Sequence, residues 1–355
     1  MADRQWTASD FDYPLPEELI AQHPSAERGA SRLLIVDRNA VAGVGAQHAA
    51  PLLRDGFFAD LQMIISPGDL LVLNATRVRH ARMLATRPGG GAAELLLIHP
   101  ATDDEWIAMG KPGRALQPGK RLLLGEGIEV ETLAVLDDGM RRVRFVGTTA
   151  ADAIARFGQL PLPPYISRAP TPDDEDRYQT VYAQREGSVA APTAGLHFTK
   201  DFLDGLRDRG VRIATLDLEV GPGTFRPVEG DAISEHVMHA ERFEIPATLV
   251  SAVADCRARG AKVWAVGTTV VRALESAVDT DGVLATGAAE TRLMISPGFR
   301  FRAVDHLITN FHLPRSTLLM LVAAFAGYPT TMAAYRHAVA ARYRFYSYGD
   351  AMCIL

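Results

Sequence analysis

Apolar and polar positions along the chain fall into three successive patterns. Up to about Leu73, strand and helix signals alternate: Arg32–Asp37 is a short apolar run of strand length, and His48–Met63 has room for a helix. From Arg77 to Phe145 the runs shorten. Glu94–Ile98, Lys120–Leu124, Ile128–Leu136 and Arg141–Phe145 read as strands, punctuated by P-G-G-G, K-P-G and Q-P-G. Regularly spaced strands with such turns predict a small β-barrel. After Thr149 helix-length windows return, most clearly in Pro246–Arg259 and Ser316–Ala326, and no solenoid repeat is visible. The expected fold is therefore α/β, with a discontinuous main domain (1–73 and 151–355) and an inserted β-barrel domain at 74–150. Leu160–Ile166, rich in proline, reads as a stiff re-entry segment.

One stretch follows no period. Gly187–Thr199 reads G-S-V-A-A-P-T-A-G-L-H-F-T: Gly187 and Gly195 permit close backbone approach, Pro192 fixes one φ, and Thr193 and His197 bring a hydroxyl and an imidazole. A rigid loop of that composition either faces a ligand or is a capped Pro-Gly turn. Similar wording returns in Leu218–Val228, with Glu219, Gly221, Gly223, Thr224 and Arg226, and in Thr309–Thr317, with Asn310 and His312. In Val263–Ser276 a buried strand runs through Gly267 into Thr268, Thr269, Arg272 and Glu275. A helix starting there presents unpaired N–H groups to an anion, with the threonine hydroxyls and Arg272 completing a clamp. The alternative is an N-cap threonine and a surface Arg272 paired with Glu275.

Glu235, His236 and His239 place two imidazoles at i, i+3, and His197 and His312 lie elsewhere. The H-x-x-H spacing is not the helical zinc spacing and no cysteine supports it, so no metal is expected. The histidines fit proton transfer or ligand binding better.

Taken in order, these runs resemble the S-adenosylmethionine:tRNA ribosyltransferase-isomerase family of queuosine biosynthesis. The likeness extends through F-D-Y-P-L-P-E-E-L-I-A-Q-H-P at the start, G-D-L-L-V-L-N-A-T-R-V, L-P-L-P-P-Y-I, R-Y-Q-T-V-Y-A and the closing Y-R-F-Y-S-Y-G-D-A-M. Glu219 stands where the family usually has histidine, and Ala75 where it has Asp or Asn. The resemblance implies a barrel-like mixed α/β main domain with the inserted β-barrel. It implies S-adenosylmethionine as a substrate, with no further cofactor. The acceptor would be a tRNA with a G-U-N anticodon carrying 7-aminomethyl-7-deazaguanine at the wobble position. Adenine and methionine would leave and epoxyqueuosine-tRNA would form. His197 is the first candidate for the base that removes a ribose 5′ proton, His239 the second, with Thr193 and Glu219 beside them. Gly195, Gly221, Gly223, Thr224, Glu235, Thr268, Thr269, Arg272, Glu275, Asn310, His312, Tyr348 and Asp350 are the candidate substrate contacts. Glu219, Glu235, Glu275, Asp350, Tyr346 and Tyr348 are the groups suited to the sulfonium.

Composition changes little. Cys256 and Cys353 are the two cysteines, the longest apolar run (Leu318–Ala326) is nine residues, and the first residues, M-A-D-R-Q-W, carry no secretion signal. A cytoplasmic protein without membrane attachment, and a monomer, is expected. The net charge is −5, yet from Arg292 to Leu355 seven arginines face two aspartates. Arg272, Arg342 and Arg344 are thus expected at tRNA phosphates, with the Lys111–Arg114 turn as the other choice. A methyltransferase would need a G-x-G-x-G-type loop after a strand, and none is present. An RNA-binding module would need stacking aromatics between Arg77 and Phe145, where no such pattern occurs.

Overall fold

The computed structural model describes residues 5–41, 51–221, 230–233, 236 and 238–355. Its centre is a nine-stranded sheet. We number its strands in chain order: β1 (Arg32–Val41), β2 (Pro51–Phe57), β3 (Leu70–Asn74), β4 (Arg212–Leu218), β5 (Glu241–Ile245), β6 (Val263–Val266), β7 (Gly287–Thr291), β8 (His306–Asn310) and β9 (Ala351–Ile354). The order across the sheet is β7-β5-β4-β3-β6-β8-β9-β1-β2. The middle four, β4-β3-β6-β8, are mutually parallel. The described pairings leave β7 and β2 as edges, so they do not close this sheet into a barrel.

The two central strands, β3 and β6, are almost wholly apolar because both their faces are covered. Side chains alternate between two cores: Leu70, Val72, Val263 and Ala265 on one side, Leu71, Leu73, Trp264 and Val266 on the other. Helix α1 (Lys200–Asp208) covers the second face with Phe202, Leu203 and Leu206. Helices α2 (Ala247–Ala258), α3 (Thr268–Ala277), α4 (Thr317–Ala326) and α5 (Tyr328–Ala340) cover the first. Ser316, expected inside the α4 window, is its N-cap and accepts the Leu319 N–H at 3.2 Å. Among the described residues no single helix is long and apolar enough to cross a membrane.

A second, seven-stranded sheet has the order Gly158–Gln159, Arg82–Thr86, Ala92–Pro100, Glu105–Lys111, Arg141–Val146, Ile128–Val135, Arg121–Gly125. Thr86 also pairs with Leu123, bringing the last strand back to the second. Met83, Leu95, Ala108, Val130 and Val143 form its own core. Thr76–Val78 and Arg185–Ser188 pair in parallel between the two sheets' segments of chain. The helix expected over His48–Met63 is not found in its described part. Pro51–Phe57 is a strand, followed by a short 3-10 turn and a single helical turn at Leu61–Ile64. Antiparallel pairing with β1 decides that segment, and local spacing cannot register it.

Candidate active site

Ligands of α/β sheets bind outside the carboxyl ends of parallel strands, and a cleft lies there. It is bounded by the residues that follow β4 (Val220), β6 (Gly267–Thr269) and β8 (Phe311–Leu313), with Asn310 at the end of β8 itself. Because β9 runs antiparallel to β8, the preceding Tyr346 and Ser347 reach the same end. Ala191–Ala194 and Tyr165 complete the walls around about 620 Å³ counted to the open mouth.

Two helices begin at this cleft. Helix α3 has Gly267 as N-cap at φ 89°, with no side chain covering its first turn. Glycine is needed there because other residues rarely hold that φ. Its N-terminus therefore carries partial positive charge into the cleft. Ser316 and Leu318, at the start of α4, line the same space. Thr269 Oγ1 is buried and has no hydrogen-bond partner among the described residues. Asn310 donates from Nδ2 to the Tyr346 carbonyl at 2.9 Å, and its side chain also neighbours His197. Buried polar groups without partners are uncommon in native proteins and point to an absent ligand or water.

His312 Nε2 lies 2.8 Å from Thr309 Oγ1, and burial pulls its pKa down to about 3, so the ring is neutral near pH 7. The rings of Tyr165 and Tyr346 sit 4.6 Å apart at 48°. Burial raises both phenol pKa values, keeping the hydroxyls protonated. No Asp, Glu, Lys or Arg occurs among the described residues lining the cleft. Nor do the described residues contain a group of three or more His, Cys, Asp or Glu able to hold a metal.

Such a cleft suits a ligand bearing its own charges: an anionic end at the helix N-termini, a cationic centre against tyrosine faces. A family described as "Queuosine biosynthesis protein" matches residues 8–354. The chain belongs to that family. It is 51% identical to the S-adenosylmethionine:tRNA ribosyltransferase-isomerase of Anaeromyxobacter sp. (strain Fw109-5), covering 98% of each chain. With the enzyme of the same name from Azoarcus sp. (strain BH72) it shares 50% identity over 97% of this chain and 96% of that one. A crystal structure of S-adenosylmethionine tRNA ribosyltransferase from Thermotoga maritima is 36% identical, with a TM-score of 0.54, over 98% of this chain and all of that one. The chain is thus an enzyme of the queuosine biosynthesis family, with a mixed α/β fold.

Of the residues singled out from the family's motifs, Thr193, Thr268, Thr269, Asn310 and His312 come together in the cleft. Others lie elsewhere. His197 is 4% exposed, stacks on Phe58 at 5.0 Å and places Nδ1 2.9 Å from Ser31 Oγ, outside the cleft lining. Burial lowers its pKa to about 4, with Asn310 partly opposing. A Cβ at Gly195 would sit 2.1 Å from Tyr182 Oη, so packing explains this glycine. Glu219 lines a separate shallow pocket with Asp217, Arg185 and Arg242, while its neighbour Val220 lines the cleft. His239 and Gly221 are half-buried, and neither lines the cleft.

Four other expected contacts are held by partners within the chain. Arg272 is buried and hydrogen-bonded to the Glu241 carboxylate and, at 3.1 Å, to the Leu293 carbonyl, so it is no surface cation for RNA. Glu275 accepts the backbone N–H groups of Arg302, Ala303 and Val304 at 2.9, 2.9 and 3.1 Å. Asp350 accepts those of Arg32 and Arg344 at 3.0 and 2.8 Å. Tyr348 donates to Asp174 at 2.7 Å, a carboxylate also held by both Arg168 terminal nitrogens. Arg344 donates to the His23 carbonyl, and exposed Arg342 lies 3.7 Å from Glu18. Gly223, Thr224 and Glu235 lie outside the described residues. Sequence reasoning missed Tyr165, Ser316 and Ser347. The proline run before Tyr165, which stiffens its approach, was the available signal for that residue.

Proposed function

We propose that the enzyme transfers the ribosyl group of S-adenosylmethionine to the 7-aminomethyl group of 7-deazaguanine at the wobble position of a G-U-N tRNA. Isomerisation to an epoxycyclopentane gives epoxyqueuosine-tRNA, with loss of adenine and methionine. The observation that carries this reading is a cleft free of formal charge among its described residues, with two helix N-termini and a tyrosine pair. The methionyl carboxylate would meet the helix ends. The sulfonium would rest on Tyr165 and Tyr346, where aromatic faces attract a cation without a carboxylate competing for its acidified protons. Thr193, Thr268, Thr269 and Asn310 would supply the neutral hydrogen bonds. We read the seven-stranded sheet, six of whose strands fall within 74–150 and which returns at Thr86–Leu123, as the inserted barrel. The enzyme would act in the cytoplasm as a monomer.

The test is incubation with S-adenosylmethionine and tRNA with or without the 7-aminomethyl-7-deazaguanine base. Free adenine and methionine should form only with the modified tRNA. Release of S-adenosylhomocysteine would make the protein a methyltransferase and sink the proposal.

A further inference from the structure

We propose that His312 Nδ1 is the proton acceptor in the cleft and that Thr309 is the positioning residue that keeps this nitrogen unprotonated. This rests on the reaction proposed above and assigns its first step to a specific atom.

The argument starts from what the cleft contains. Proton abstraction needs a lone pair that is free near neutral pH. Among the described residues lining the cleft there is no carboxylate or amine, and the buried phenols are held protonated. Among the described residues lining the cleft, His312 is the one side chain with a basic nitrogen. His197, the candidate favoured by its loop, lines a different pocket with Ser31 and Tyr348.

Geometry then selects the tautomer. Thr309 Oγ1 lies 3.3 Å from the Asn310 carbonyl oxygen and 2.8 Å from His312 Nε2. The carbonyl can only accept, so we assign it the single hydroxyl proton. With that assignment the hydroxyl oxygen accepts from Nε2–H, which leaves the Nδ1 lone pair free. The histidine backbone is fixed on both sides: its N–H donates to Tyr335 Oη at 3.0 Å, and its carbonyl accepts from Tyr13 Oη at 2.5 Å. A ring anchored by its own backbone and by Nε2 retains little freedom, as an oriented base requires.

The step balances without a co-reactant. The ribose 5′ C–H bond breaks, an N–H bond forms at Nδ1, and the electron pair stays on the carbon beside sulfur. Sulfonium becomes neutral ylide while imidazole becomes imidazolium. Positive charge moves within the cleft and none is created. The burial that disfavours a charged His312 in the empty cleft is therefore offset by neutralising an equally buried sulfonium.

Three variants and one spectrum test this. His312→Gln should lower kcat for adenine release on the order of 10²-fold or more, with KM for S-adenosylmethionine changed little. Thr309→Val should lower kcat by roughly tenfold at unchanged KM, and Thr309→Ser should restore it, since the hydroxyl is what matters. The ¹⁵N spectrum of the imidazole-labelled wild-type protein should show His312 protonated at Nε2 and bare at Nδ1. In Thr309→Val the two tautomers should mix. His312→Gln turning over within about threefold of wild type overturns the inference, as does a wild-type spectrum with Nδ1 protonated. The spectrum decides the matter even if a variant fails to fold. Wild-type protein that releases no adenine at all instead defeats the reaction proposed above.

Discussion

The first and second turns of helix α3 share one short element and behave oppositely. Thr268 and Thr269 open onto the cleft, and Thr269 keeps an unpaired hydroxyl. One turn on, Arg272 and Glu275 are as buried as the threonines and are held by other parts of the chain, Arg272 through Nε and Nη1 while its Nη2 has no partner among the described residues. The formal charges thus serve the fold and the neutral groups face the ligand. An unpaired charge in a poorly solvated site is prohibitively costly, whereas an unpaired hydroxyl costs only a few kcal/mol, so the latter can wait for a partner.

The comparison breaks most readily at Arg272. Removing it strands Glu241 in the interior, so Arg272→Ala should cost about 3–5 kcal/mol in chemical denaturation. The folded fraction should bind tRNA with an unchanged salt slope. A stable variant with a flattened slope would return Arg272 to the RNA surface. Glu275→Leu leaves three backbone donors unpaired and should cost roughly 3 kcal/mol. A loss confined to S-adenosylmethionine affinity would instead place Glu275 at the substrate.

A smaller effect is expected at His197, on the far side of the Thr193–His197 turn. Its pKa falls from 6.5 unfolded to about 4 folded. Between those values the unfolded chain binds the extra proton, so this ring's contribution is full above pH 6.5 and lost as pH falls toward 4. His197→Gln should therefore lose on the order of 2 kcal/mol less than wild type between pH 7 and pH 5. Parallel stability curves would remove this assignment. The smallest effect should come from Thr269→Val. Stability should shift by less than about 1 kcal/mol, because no protein hydrogen bond is lost, while S-adenosylmethionine binding weakens by roughly tenfold. Equal losses in both would make Thr269 an ordinary core residue.

Much of the fold was legible because strands such as β6 are apolar on both faces and bounded by glycine or lysine. Pro51–Phe57 was not, since its partner β1 decides its conformation. Within the site, the Gly-Thr turn was readable because a strand, a glycine and two hydroxyls sit consecutively. The burial of Arg272 leaves no local sign, because its partner Glu241 lies 31 positions away. Nothing local distinguishes a buried ion pair from a surface cation. The rear position of His197 was equally hidden, since a 3-10 turn of five residues sends neighbouring side chains to opposite sides.

Strand β9 has a consequence for how the enzyme comes into being. It alone joins the β1–β2 hairpin to the rest of the large sheet, and Asp350 at its entrance binds Arg32, 318 positions earlier. The β1–β2 pair forms locally but joins the rest of the sheet only through a contact of long sequence separation, a topology that folds slowly. Tyr346 and Ser347, which floor the cleft, arrive only with that strand. The cleft proposed as the active site is therefore complete only once β9 has docked.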